Sequence, residues 1–151
     1  MRRASRSGRC ASWSRAVAVL DPASIAIIGA SNDRNKVGGR PVDYLQRFGF
    51  QGRIYPVNPG RSVVQGLRCY PTVADLPEVP DLAIVAVAGG AVAEAVRACA
   101  AMGVGTAVIL SSGFAETGAD GADRQRELCD LAACAGMRLV GPNCLGIFNP
   151  I

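Results

Sequence analysis

The stretch Ser24-Ile-Ala-Ile-Ile-Gly-Ala-Ser31 is an apolar run that stops abruptly at Gly29; a polar turn carrying Lys36 then leads to Gly38-Gly39. Residues of these types at this spacing suit anion binding. Glycine lets a backbone approach a ligand closely. A helix starting near Gly39 would offer unpaired N–H groups and a positive dipole end. Lys36 is the only lysine in the chain, and an ammonium makes a point-charge partner for phosphate. The chemistry implied is phosphate binding, with a nucleotide-like ligand. Ser111-Ser112-Gly113 repeats the small-residue turn, and Gly141-Pro142-Asn143 follows a third apolar segment.

Other chemistry is excluded by what the chain lacks. None of its 151 residues is histidine, so there is no histidine base, metal ligand or phosphohistidine here. Six cysteines stand at positions 10, 69, 99, 129, 134 and 144 without a Cys-x-x-Cys pair. No metal site is expected. Cys99, Cys129 and Cys134 sit in helical apolar patterns and read as small buried thiols. Reduced thiols fit a cytoplasmic protein.

The net charge of +4 comes from the first 20 residues, which hold five arginines and no acid; eleven basic and twelve acidic residues follow. Nearly neutral and poor in aromatics, that part offers no nucleic-acid surface. No apolar run reaches the ~20 residues needed to span a bilayer. Residues 1–15 read as a disordered basic tail and 16–151 as one domain.

The elements that must position the glycine turns alternate along the chain. Strands are expected at 24–29, 53–57, 82–88, 106–110 and 138–140. Helices are expected at 39–48, from Gly89-Gly90 to Met102, and at 121–135. Gln65-Gly66 reads as a turn, and 72–76 as a short helix capped by Thr72. Val92, Val96, Cys99 and Ala100 share one helix face, as do Leu128, Leu131, Ala132 and Ala135. Such alternation predicts an α/β fold: a Rossmann-type doubly wound parallel sheet of about five strands, in the order 3-2-1-4-5. Every unusual turn follows a strand, so all of them share the carboxyl edge of the sheet, where such folds bind ligands.

A dinucleotide site would show Gly-x-Gly-x-x-Gly and an acid ending the second strand. Here Ser31 replaces the second glycine, and the strand ends in Val57-Asn58. NAD is disfavoured, although Asn58 could still meet a sugar or base.

Four blocks carry a resemblance: Ser24-Ile-Ala-Ile-Ile-Gly-Ala-Ser31, Tyr55-Pro-Val-Asn-Pro59, Ser112-Gly-Phe-Ala-Glu-Thr-Gly118, and Gly141-Pro-Asn-Cys-Leu-Gly146 with Asn149-Pro150. In order and spacing they resemble the N-terminal CoA-binding domain of ADP-forming acyl-CoA synthetases, relatives of the succinyl-CoA synthetase alpha subunit. The resemblance runs from about Leu20 to Ile151. It implies a CoA or acyl-CoA site on the carboxyl edge. Gly29, Ala30, Ser31 and Gly38 take the place of the phosphate turn, with Lys36 inside it. Asn58, Pro59 and Arg61 fall at the nucleotide end, where Arg61 could meet the 3′-phosphate. Val87, Ala88 and Gly89 match a ligand-contacting segment in which Ala88 replaces a common proline. Ser111, Ser112 and Gly113 lie towards the pantetheine arm, and Asn143 matches a loop facing the transfer centre. Glu116 could orient a reacting group. Cys144 reads as structural, because no base is present to activate it.

Those synthetases pass phosphate through a histidine in a later domain and use an ATP-grasp unit. This chain has neither, so no catalytic residue is expected in it. It reads as the CoA-binding part of an acid–CoA ligase, inactive alone, whose partners are further ligase and ATP-grasp domains or subunits. Two alternatives stay open: a stand-alone regulatory CoA-binding module, and an NAD(P)-binding oxidoreductase domain.

Overall fold

Strand β1 (Ser24–Ile28) is buried at every residue. Its side chains point alternately into two cores. Ile25 and Ile27 pack with Val42 and Leu82 on one face. Ala26 and Ile28 pack with Val96, Cys99 and Leu128 on the other. A strand covered on both faces needs apolar residues throughout, which is why the run is continuous rather than alternating. In the computed structural model, residues 19–146 are described. The expected tail, Cys10 and the Asn149-Pro150 pair lie outside them.

After β1 come α1 (Arg40–Arg47), β2 (Arg53–Val57), the short strands β3 (Val63–Val64) and β4 (Leu67–Arg68), and β5 (Leu82–Val85). Then follow α2 (Val92–Met102), β6 (Thr106–Ile109), α3 (Ala119–Cys134) and β7 (Arg138–Val140). Five strands form one sheet in the order β2-β1-β5-β6-β7, with every pairing parallel. α1 contributes to the core beneath one face, α2 and α3 to that beneath the other. Among the described residues no helix is long and apolar enough to cross a membrane.

The α/β class and the five-stranded parallel sheet match expectation, but the strand order does not. Numbering only the main-sheet strands, the sequence suggested 3-2-1-4-5 and the structure has 2-1-3-4-5. Pro56 gives a physical reason. The expected order puts the second strand between two neighbours, whereas proline lacks the N–H that an inner ladder needs and belongs at an edge. In the structure β2 is the edge strand, closed partly by Tyr70, whose N–H donates to the Pro56 carbonyl at 2.9 Å.

Other departures are smaller. β5 ends at Val85 rather than at residue 88 because the chain turns into a 3-10 segment at Gly89–Ala91. β3 and β4 form an antiparallel hairpin whose turn is Gln65-Gly66. The predicted short helix is a 3-10 turn over Val73–Asp75, where the Asp75 carboxylate accepts from the Thr72 amide and hydroxyl. Cys99 is buried as expected, but Cys129 and Cys134 are exposed. Both occupy α3, whose buried residues are Gly121, Leu128 and Ala132. Two buried side chains over several turns make a narrow stripe, so Ala119, Ala133 and Cys134 of α3 face solvent, as does Ala135 just past its end.

Candidate functional site

The sheet reverses direction of winding between β1 and β5. From β1 the chain moves outward to β2; from β5 it moves the other way, to β6 and β7. In open parallel sheets the crevice beyond the carboxyl ends of two such strands is where ligands sit. Gly29 leaves β1 at this point. Its φ of +87° favours glycine, and a Cβ there would lie 2.6 Å from the Ala86 carbonyl oxygen and 2.9 Å from Val87 Cγ1. The exits of β1 and β5 are therefore pressed together by the absence of a side chain. Gly38 packs back on the same point, where a Cβ would overlap the Gly29 carbonyl oxygen.

From there a chain of contacts runs both ways along the edge. Toward β2, Asn58 Nδ2 donates to the Ala30 carbonyl at 2.9 Å, and Asn58 Oδ1 accepts from the Gly60 amide at 2.9 Å. The Arg61 amide donates to the Asn58 carbonyl at 3.3 Å. Toward β6, Ser111 Oγ donates to the Val87 carbonyl at 2.5 Å. Next, the Asn143 amide donates to the Ser111 carbonyl at 2.9 Å, and the Cys144 amide to the Ile109 carbonyl at 3.2 Å. Gly89 lies against Ser112, whose carbonyl oxygen would be 2.7 Å from a Cβ there. Asn58, Ala30, Gly29, Val87, Ser111 and Asn143 thus form one row across five strand ends. At ~4.8 Å per strand such a row measures about 19 Å, which suits an elongated ligand.

The loop between β1 and α1 divides its amides between two uses. Those of Gly29 and Ala30 donate to the Val57 carbonyl at 2.9 and 3.2 Å, and that of Ser31 to the Gly38 carbonyl at 3.2 Å. These three, with the amides of Asp33, Asn35, Lys36 and Gly39, which donate within the loop, fix its shape. Four others, at Asn32, Arg34, Val37 and Gly38, have no acceptor among the described residues. Lys36 is exposed on the same loop. Arg34 pairs with Asp43 at 3.2 Å. Neither Lys36 nor Arg61 forms an ion pair among the described residues. Pro59 and Ala88 are exposed beside the row.

Beyond β6 the turn at Gly113 holds an anion of its own. Glu116 Oε1 accepts from the Gly113 amide at 2.6 Å. That bond first, and then Glu116's own amide, holds its carboxyl below the usual carboxylate range. Arg124 donates to the Gly113 carbonyl at 3.0 Å and braces the turn. Buried thiols are not reactive groups here: desolvation pushes Cys99 up to about 12. No group of three or more acids and cysteines is placed to hold a metal among the described residues.

Gln65 had no place in the sequence reading beyond its turn. Its side chain donates to both Ser31 and Gly39 carbonyls at 2.9 Å. The residue signal was weak, since a hairpin of two-residue strands leaves almost no periodicity to read.

The CoA binding domain family matches residues 23–150. The chain belongs to that family. Across 128 residues it is 44% identical to the acetate–CoA ligase [ADP-forming] II of Archaeoglobus fulgidus, covering 85% of this chain and 19% of that protein. It is 41% identical to the acetate–CoA ligase [ADP-forming] II subunit alpha of Pyrococcus furiosus, covering 86% of this chain and 28% of that one. A solved dinucleotide forming acetyl-coenzyme A synthetase 1 of Ca. Korarchaeum cryptofilum, in complex with phosphate and ADP, superposes with a TM-score of 0.83 at 37% identity. That alignment covers 88% of this chain and 28% of the other. The chain is a CoA-binding domain homologous to the N-terminal part of ADP-forming acyl-CoA synthetases. It spans about a fifth of the length of the first of these relatives. Side-chain-free approach at Gly29 and Gly38, four unpartnered loop amides and two unpaired cations match a polyanion.

Proposed function

We propose that the row on the carboxyl edge is where CoA binds. The diphosphate lies at the loop of residues 29–39, facing the amides of Asn32, Arg34, Val37 and Gly38, with Lys36 beside them. Gly29, Ala30 and Ser31 shape that loop through their own hydrogen bonds. The turn Asn58-Pro59-Gly60-Arg61 takes the nucleotide end, with Arg61 toward the 3′-phosphate. Val87, Ala88 and the turn Ser111-Ser112-Gly113 take the pantetheine arm, and Asn143 faces the reacting end. The observation that carries this reading is the junction of β1 and β5, where Gly29 lets two strand exits touch at the winding reversal.

CoA supplies a thiol that accepts an acyl group. This chain's share is to bind and orient it. In the whole protein the domain works as part of an ADP-forming acid–CoA ligase, with a histidine-bearing domain and an ATP-grasp unit elsewhere. Five cysteines of the described residues are free thiols, which supports a cytoplasmic setting. Calorimetric titration of the full chain with CoA and with NAD side by side tests the reading. Micromolar or tighter CoA binding with weaker NAD binding is expected; preference for NAD contradicts it.

A further inference from the structure

The hairpin β3–β4 is a two-stranded ribbon of four residues, outside the main sheet. A ribbon this small is not stable on its own. It is anchored by Val64, which is fully buried in the core that also holds Val42 and Ile27. The next residue, Gln65, adopts φ +47°. That left-handed backbone is uncommon for a residue with a side chain.

Nearly every polar group of Gln65 points at the same place. Nε2 donates to the Ser31 carbonyl and to the Gly39 carbonyl, each at 2.9 Å. These two residues bracket the loop that carries the four unpartnered amides. The Gln65 N–H donates to Asn32 Oδ1 at 2.6 Å, inside that loop. The Gln65 carbonyl accepts from Gln46 Nε2 on α1 at 3.2 Å. Gln65 Oε1 alone is buried without a partner, a cost that packing alone would not retain. The carboxamide is held for its two donors.

We propose that Gln65 is a positioning residue of the CoA site. It ties the two ends of the phosphate loop together, so that the amides at Asn32, Arg34, Val37 and Gly38 are arranged before an anion arrives. Resting on the proposed CoA site, this adds where its readiness comes from. A loop of this length left free would lose conformational entropy on binding; one already tied loses less, and affinity gains the difference. The donors are specific to an amide. A carboxylate at position 65 would face two carbonyl oxygens and set a negative charge behind a phosphate site.

The test uses the full chain with Gln65→Met, similar in length but without donors, and Gln65→Asn, one methylene too short to reach both carbonyls. Backbone hydrogen exchange of residues 31–39 is followed without ligand, alongside thermal melting and CoA calorimetry. In both variants exchange at Ser31, Lys36 and Gly39, whose amides are hydrogen-bonded within the loop, accelerates in the free protein. CoA affinity falls roughly tenfold, any loss of melting temperature is modest, and the faster exchange stays confined to this loop. A residue that merely supports the fold would raise exchange across the sheet as well. Unchanged exchange and unchanged CoA affinity in either folded variant overturn the proposal. The free-protein exchange arm does not depend on the ligand, so wild-type protein that ignores CoA while the variants' loops loosen would sink the CoA site and leave the clamp standing.

Discussion

A methyl group at Gly29 would sit 2.6 Å from the Ala86 carbonyl oxygen, on a backbone at φ +87°. Left-handed strain for a residue with a side chain amounts to about 1–3 kcal/mol, and the overlap with β5 adds to it. Gly29→Ala should therefore lower the melting temperature and weaken CoA binding together, by thermal scan and calorimetry. Gly29→Val should abolish binding. Glu116 has a different signature. Its folded-state pKa lies below the ordinary carboxylate value, so its stabilising effect is present above that ordinary value, ~4.3. The effect is lost as pH falls through the folded-state pKa. Glu116→Gln should melt lower than wild type at neutral pH, and the gap should close in acid; a gap independent of pH contradicts the amide-held carboxylate. For the thiols, Cys129 and Cys134 are exposed whereas Cys99 is buried with its pKa raised. Alkylation at pH 8 read by mass spectrometry should modify the first two and spare Cys99 until the protein unfolds. At this scale the glycines of the loop were legible because their demand is local. The commitment of Asn58 and Gln65 to loop carbonyls was not, because it depends on contacts 26 to 34 residues apart in sequence.

Among the elements, β1 and β5 were readable from continuous apolar runs and the flanking turns. Helix α1 was readable from Val42 and from the proline in its first turn. Strand order was open to reading only through Pro56, whose missing N–H assigns β2 to an edge. Spacing alone gives adjacent strands and not which side the next one joins. The opposite end of the sheet is fastened by Asp81, whose Oδ2 accepts from the amides of Ala23 and Ser24 at 2.9 and 3.1 Å. The Asp81 amide in turn donates to Ser24 Oγ at 3.1 Å. Ser24 is buried, so Asp81→Ala should destabilise by about 1–3 kcal/mol through its unpartnered groups. Because Asp81 staples the starts of β1 and β5 and the proposed site lies at their ends, CoA affinity of the folded variant should not change. A loss of affinity as large as that of Gly29→Ala would show that the whole sheet, and not its carboxyl edge, sets binding.

Taken whole, the described chain carries nearly balanced charge, with two unpaired cations, Lys36 and Arg61, near the edge. If these meet phosphates, CoA affinity should fall as salt rises, because exposed charges are screened over ~10 Å at 0.1 M. A salt-independent affinity would remove both from the site. Lacking histidine, the chain should bind CoA yet form no acyl-CoA when given an acid, ATP and magnesium. The central claim is that one edge of this sheet holds the ligand. A crystal structure of the full chain grown with CoA tests it most directly. The account predicts diphosphate density against the loop between Gly29 and Gly39, with the pantetheine arm running past Val87 toward Ser111. CoA lying on another face, or on that edge but away from the β1–β5 junction, would contradict it.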